Sequence, residues 1–396
     1  MELESVAERR RGNGPGRKNR GQQDSFFDYT LLFIVLFLLA FGLVVLYSSS
    51  AYEGSLLKDP DPAYFLKKQM VSTVIGMAAM IVVANIPYHF WERFAVLGYI
   101  VSIIMILLII PFGVEANGAK RWLKIAGMSM QPAEVAKLGM ILFLASLICR
   151  MGRKIRTGKG FFIVLMIPMP VSLLVWQITE NMSSAIIILG IAVLMLFVSC
   201  PDYKRFILLG AAGTAVCALA LFIIVNAADS GSLGVRGTRI LAWLDPEAYA
   251  SGKGFQTLQA LYAIGSGGIW GKGLGKSVQK LGFLPEAQND MIFSIICEEL
   301  GLFGAIAIML MFVLLIWRFM VIANNAPDLF GALLVVGVMG HIAIQVILNV
   351  AVVTNTIPNT GISLPFISYG GSAVLFLMIE IGIVLSVGRG IRLKDL

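Results

Sequence analysis

From Tyr29 to Leu46 the chain runs almost without a polar side chain, and similar runs recur nine more times before the C-terminus. They fall near 28–49, 69–86, 91–111, 132–150, 160–177, 182–200, 205–227, 291–320, 328–353 and 368–389. These runs are apolar on every side, without the alternation of a half-buried strand. A helix needs about 20 such residues to cross a bilayer, so the pattern predicts ten membrane-spanning helices. A spanning segment must satisfy all its backbone groups within itself, which selects helix. The first run is too long for the apolar stretch of a signal peptide. The predicted fold is an all-α polytopic membrane protein with about ten transmembrane helices. Its longest connection, 228–290, is a large extracytoplasmic loop between the seventh and eighth.

Composition agrees with this pattern. Hydrophobic residues make up 58% of the 396 and charged residues 14%, against roughly 25% charged in soluble domains. A chain so poor in charge has too little polar surface for a separate soluble enzyme domain. The net charge of +8 raises the question of nucleic acid, but the basic residues gather at helix ends, which excludes that partner. Arg9, Arg10, Arg11, Arg17, Lys18 and Arg20 lie before the first span. Arg150, Arg153, Lys154, Arg156 and Lys159 follow the fourth, and Arg389, Arg392 and Lys394 close the chain. Ten spans put all three groups on one side, and the excess of Lys and Arg makes that side cytoplasmic. The expected organisation is a disordered basic cytoplasmic tail over 1–27, a transmembrane domain over 28–390, and a cytoplasmic tail over 391–396. Both termini are expected in the cytoplasm.

This orientation places 50–68, 112–131, 228–290 and 354–367 outside. The 228–290 segment carries Phe255, Leu258, Leu261, Tyr262 and Trp270, too apolar for disorder, and is expected to fold back as short helices along the membrane. Six glycines between Gly265 and Gly275 suit tight turns and close backbone approach. Asp290 stands where this loop enters the eighth span. It reads either as an N-cap of that helix or as a carboxylate able to take a proton from a substrate hydroxyl. Glu298 and Glu299 follow in the same run, as a structural ion pair or as the lining of a polar cavity. Glu134 and Lys137 share one helix face, either as a local pair or with Lys137 reaching a phosphate. Lys120, Arg121 and Trp122 read as an interfacial anchor. The segment from Ile357 to Ser372 is rich in Pro and Gly, an irregular backbone that survives at membrane depth only inside protein or beside a cavity. Cys149, Cys200, Cys217 and Cys297 form no paired motif, and His89 and His341 have no partners that would make a zinc site.

Three stretches go further: Asn117–Lys137, Arg239–Gly304 and Pro358–Ser372. Within them, Gly273-Leu274-Gly275-Lys276-Ser277-Val278-Gln279-Lys280, Leu284-Pro285-Glu286, Asp290, Glu298-Glu299-Leu300-Gly301 and Leu364-Pro365-Phe366-Ile367-Ser368-Tyr369-Gly370-Gly371-Ser372 resemble the SEDS family of shape, elongation, division and sporulation proteins. The likeness leans to the division and sporulation branch, with the elongation branch the near alternative. It implies a peptidoglycan glycosyltransferase that joins lipid II outside the membrane and releases undecaprenyl diphosphate. It also implies a class B penicillin-binding protein, a transpeptidase, as partner within the division or elongation machinery. Asp290 becomes the catalytic base. The substrate-binding residues implied are Lys120, Arg121, Trp122, Glu134, Lys137, Arg239, Gln256, Lys280, Glu286, Ser368 and Tyr369. Such a base requires its carboxyl to be raised by burial or by Glu286. Lys137, Arg239, Lys280 or a divalent cation would steady the leaving group; no dense carboxylate cluster fixes a metal. Gln288-Asn289 stands where the family often has His-Thr, and Thr179–Ser184 where it often has Gln-Pro-Asp-Leu-Gly-Thr. A flippase for the same lipid and a non-catalytic scaffold for a transpeptidase are the rival readings.

Overall fold

In a computed structural model, the protein is described over residues 27–391, apart from 117–118, 126–127, 201, 229–234 and 253. Nearly all of both predicted tails, and Asn117 and Gly118 of the third–fourth connection, lie outside the described residues. Ten helices have the length and apolarity to cross a membrane: Tyr29–Ser55, Tyr64–Asn85, Ala95–Phe112, Pro132–Arg156, Gly158–Ile178, Met182–Ser199, Tyr203–Ile224, Ile292–Asn324, Leu329–Val353 and Gly371–Arg389. Each overlaps one predicted run. They are called the first to tenth spans below.

Local chemistry sets many of the boundaries. Asp28, Asn181 and Asp328 precede the first, sixth and ninth spans, and their side chains accept from the backbone N–H of Leu31, Ser184 and Gly331. Each satisfies a donor that the first helical turn leaves open. Pro132 opens the fourth span, where its missing N–H costs nothing.

The ninth and tenth spans form the centre of the bundle, with 67% and 78% of their apolar windows buried, whereas the seventh has none. Phe206 alone illustrates how that outlying helix attaches, with its ring edge-on to Phe161 and Phe197 at 5.4 and 5.1 Å. Lipid supplies no hydrophobic force between helices, so close packing through small residues must hold them. Gly139 of the fourth span meets Gly98 of the third, and Gly382 of the tenth meets Met80 of the second.

Two connections have structure of their own. Between the third and fourth spans lie three short antiparallel strands in sequential order, β1 (Val114–Ala116), β2 (Ala119–Ile125) and β3 (Met128–Met130). Lys120 pairs with Glu115 and Trp122 with Val114. The sequence reading of Lys120–Trp122 as a plain anchor missed this sheet, because seven residues with Lys and Arg interleaved carry little strand signal. The seventh–eighth connection contains two helices, Val235–Leu244 and Phe255–Gly267, then an irregular stretch that returns to the eighth span.

The eighth span is broken. Gly301 has φ +68° and ψ −167° inside it, a backbone region open essentially to glycine alone. The irregular stretch closes the break: Lys272 and Gly273 donate their N–H groups to the carbonyls of Glu298 and Glu299 at 2.9 Å. Leu302 and Phe303 donate in turn to Gly268 and Ile269 at 2.9 and 3.2 Å.

Candidate active site

Asp290 sits in the turn before the eighth span and is almost wholly buried. It does not cap that helix: the capping position is Met291 and makes no side-chain cap. The Asp290 carboxyl faces instead the Gln256 amide, 3.5 Å away, on the second loop helix. Gln256 also donates to the Pro285 carbonyl at 3.2 Å and accepts from Asn359 at 2.9 Å. The far side is closed by Gly361, where a Cβ would lie 3.8 Å from the second carboxyl oxygen and where φ is +68°. Glycine is favoured at that φ and leaves the carboxyl room.

Burial pushes the Asp290 carboxyl up to about 7, and the Glu286 carboxylate adds to the rise. The Arg121 guanidinium and the backbone N–H groups of Asp290 and Met291 pull the other way without overcoming it. Arg121 lies on β2 and is anchored through Nε and Nη2 to the carbonyls of Thr179 and Glu180, both at 3.1 Å. Burial and the neighbouring Arg239 charge lower its pKa, while Glu180 and Asp290 raise it. The fold thus gathers Asp290, Glu286, Arg121, Arg239 and Gln256 from four separate segments: a buried carboxyl near neutrality with two guanidiniums at hand.

The carboxylates around Asp290 are occupied by amides. Asn289 donates to Glu286, and Gln288 donates to Glu53 at 2.6 Å. Among the described residues no group of three or more His, Cys, Asp and Glu is placed to hold a metal ion. Arg121 is the cationic group that acts on the Asp290 carboxyl, and the Arg239 charge acts on Arg121.

The remaining predicted residues fall elsewhere. Lys137 and Glu134 form a buried pair at 2.8 Å within the fourth span. Lys280 is also buried, bonded to Glu299 at 2.6 Å and to Ser48 at 2.8 Å. Its companion Lys272 bonds Glu298 at 2.7 Å, so both glutamates of the eighth span are in ion pairs. Ser368 closes a backbone turn by accepting from the Leu364 N–H at 2.8 Å. Tyr369 donates its N–H to the Gln288 carbonyl at 2.9 Å and sets its ring edge-on to Phe65. Lys120 is exposed and Trp122 half-buried on the sheet. Three residues that the sequence did not single out bond Asp290 or its neighbours: Asn349 bonds Asp290 itself, Asn359 bonds Gln256, and Glu53 accepts from Gln288. Asn349 donates to the Asp290 carbonyl at 2.8 Å and the Ile362 carbonyl at 2.7 Å. Two amides and a helix-end glutamate carry no motif of their own; only the fold brings them together.

A bundle of ten spans with a buried carboxyl in the turn before the eighth defines a polytopic membrane protein. Residues 29–392 match the model of the cell cycle protein family FtsW/RodA/SpoVE. Stage V sporulation protein E of Bacillus subtilis is 37% identical, covering 91% of this chain and 97% of the relative. A probable peptidoglycan glycosyltransferase FtsW of Trichlorobacter lovleyi is 36% identical, covering 93% and 95%. Among solved structures, a chain of a peptidoglycan synthase complex that coordinates polymerisation and crosslinking superposes with a TM-score of 0.73. It is 26% identical and covers 93% of this chain and 99% of the other. The rod shape determining protein RodA of Thermus thermophilus gives a TM-score of 0.66 at 25% identity, covering 92% and 97%. This chain belongs to the FtsW/RodA/SpoVE family, the SEDS proteins.

Proposed function

We propose that this chain is a peptidoglycan glycosyltransferase that polymerises lipid II, with Asp290 as its general base. The observation that carries the reading is the buried Asp290 carboxyl, raised to about 7 beside the Arg121 guanidinium. A base works best when its pKa lies near the operating pH, and an ordinary aspartate would be too weak. In the reaction the acceptor sugar hydroxyl gives its proton to Asp290 as its oxygen bonds the donor's anomeric carbon. The bond from that carbon to the diphosphate oxygen breaks, and undecaprenyl diphosphate leaves. Arg121 and Arg239 stand where positive charge would steady the departing diphosphate. Lys137 and Lys280 are held in buried ion pairs with Glu134 and Glu299.

The basic segments support an orientation with Asp290 at the outer face of the cytoplasmic membrane and both termini inside. The relatives named FtsW and SpoVE support a role in division or sporulation wall synthesis. The synthase complex supports a class B penicillin-binding protein as partner.

The test is polymerisation of lipid II by the purified chain in detergent, alone and with a cognate transpeptidase. Asp290→Ala is expected to lower product at least about a hundredfold, in line with the contribution of a general base, while the protein stays folded. Near-normal glycan from a folded Asp290→Ala chain would refute the base assignment. A wild-type chain that moves the lipid across vesicles yet never forms polymer is a flippase.

A further inference from the structure

The centre of the bundle holds a chain of buried polar groups that the reaction itself does not use. His341 of the ninth span and Glu380 of the tenth are both fully enclosed, with Nδ1 and Oε2 2.8 Å apart. His341 Nε2 lies 3.0 Å from Gln345 Oε1, one turn along the same helix. Lys137 Nζ reaches that same oxygen at 3.3 Å, and Gln345 Nε2 donates to the Ser363 carbonyl at 3.0 Å.

The partners settle every donor. An ammonium only donates and a backbone carbonyl only accepts, so the Gln345 oxygen must face Lys137 and its nitrogen Ser363. That oxygen cannot donate, so His341 must carry a proton on Nε2. One further proton is then shared between Nδ1 and the Glu380 carboxyl. The pair is neutral as a unit, which suits its dry position, and among the described residues the other Glu380 oxygen has no hydrogen-bond partner. Replacing such a pair by apolar side chains is often neutral or stabilising, so its presence asks for another reason.

That reason lies one turn further on. Asn349 ties the Asp290 carbonyl to the Ile362 carbonyl, and Gln345 holds the next carbonyl, Ser363. The ninth span thereby clamps the segment that carries Asn359 and Gly361, the two residues that bound the Asp290 carboxyl through Gln256 and directly. We propose that His341 and Glu380 are positioning residues for the Asp290 site: Glu380 holds the His341 ring so that its Nε2–H, together with Lys137, pins the Gln345 oxygen, and the Gln345 nitrogen then fixes the Ile362–Ser363 backbone against the base.

Turnover in this test rests on the glycosyltransferase reading, whereas amide exchange does not. Glu380→Gln keeps an N–H donor toward Nδ1 and the same Nε2–H tautomer. It is expected to polymerise lipid II within about threefold of wild type. The double variant His341→Leu/Glu380→Leu is expected to fold with an unchanged or higher melting temperature. Its turnover should still fall about tenfold to a hundredfold, the scale of a misplaced reacting group, with KM nearly unmoved. Hydrogen exchange over 357–364 should rise in the double variant and not in Glu380→Gln. The proposal is overturned if the double variant matches wild type in turnover and exchange, or if Glu380→Gln is as impaired as the double variant. Should the wild-type chain make no polymer, the enzyme reading fails, and the exchange comparison alone decides whether the clamp exists.

Discussion

At the scale of single residues, Asp290 and its neighbours make opposite demands on activity and stability. With its carboxyl at about 7 rather than 3.8, the base form predominates above neutrality and declines below it. Polymerisation should fall roughly tenfold per pH unit below about 6. Glu286→Gln removes a charge that raises Asp290, so the acid limb of the pH–rate profile should move to lower pH. Arg121→Gln removes a charge that lowers it, so the limb should move up. Stability runs the other way. A raised carboxyl pKa means the folded state binds the proton more tightly than the unfolded chain. The stabilisation is full below pH 4 and is lost as pH rises to about 7. Above pH 7, Asp290→Asn should melt higher than wild type, by up to about 4 kcal/mol for a shift of about three units. A site that melts lower when its base is neutralised would contradict this account. The identity of Asp290 as a candidate was legible in the sequence from its place before an apolar run. Its burial, and the contacts with Gln256, Asn359 and Arg121 that control it, were not, because those residues lie 34, 69 and 169 positions away along the chain.

At the scale of elements, the eighth span is the informative one. Residues 302–324 alone extend about 35 Å at 1.5 Å per residue, enough to cross a hydrocarbon core of about 30 Å. The preceding turns, 292–300, form a separate half-helix that ends with Glu298, Glu299 and Leu300 just before the Gly301 break. Sequence reading put both glutamates two turns deep within one continuous helix. The break brings them level with the loop, where Lys272 and Lys280 neutralise them. A Cβ at Gly301 would lie 2.4 Å from the Gly271 nitrogen. Gly301→Ala thus meets both a steric clash and a φ that costs about 1–3 kcal/mol. The expected result is a clear drop in melting temperature and in polymer yield, whereas Gly158→Ala, whose Cβ meets nothing within 4 Å, should leave both unchanged. The glycine spacing announced turns in 265–275, but helical periodicity cannot report a single residue at which an apolar run changes direction.

At the scale of the whole molecule, an even number of spans carries the expectation that the three groups of basic residues share one side. Single cysteines placed on a cysteine-free background test this arrangement. Thiols near 154 and near 276 should react with an impermeant reagent from opposite sides of a sealed vesicle, and labelling of both from one side would break the topology. Membrane embedding, the number of spans, the expected orientation and the location of the chemistry-bearing segments all follow from the sequence, because transfer of apolar and charged side chains between lipid and water is a local property. The tertiary structure alone decided which helices are central, that Lys280 lies in a buried pair with Glu299, and that Asn349 and Gln345 bind the Asp290 and Ile362–Ser363 backbones together. Hydrogen bonds and ion pairs depend on distances of about 3 Å between residues far apart in sequence, and no periodicity along a single chain encodes such a distance.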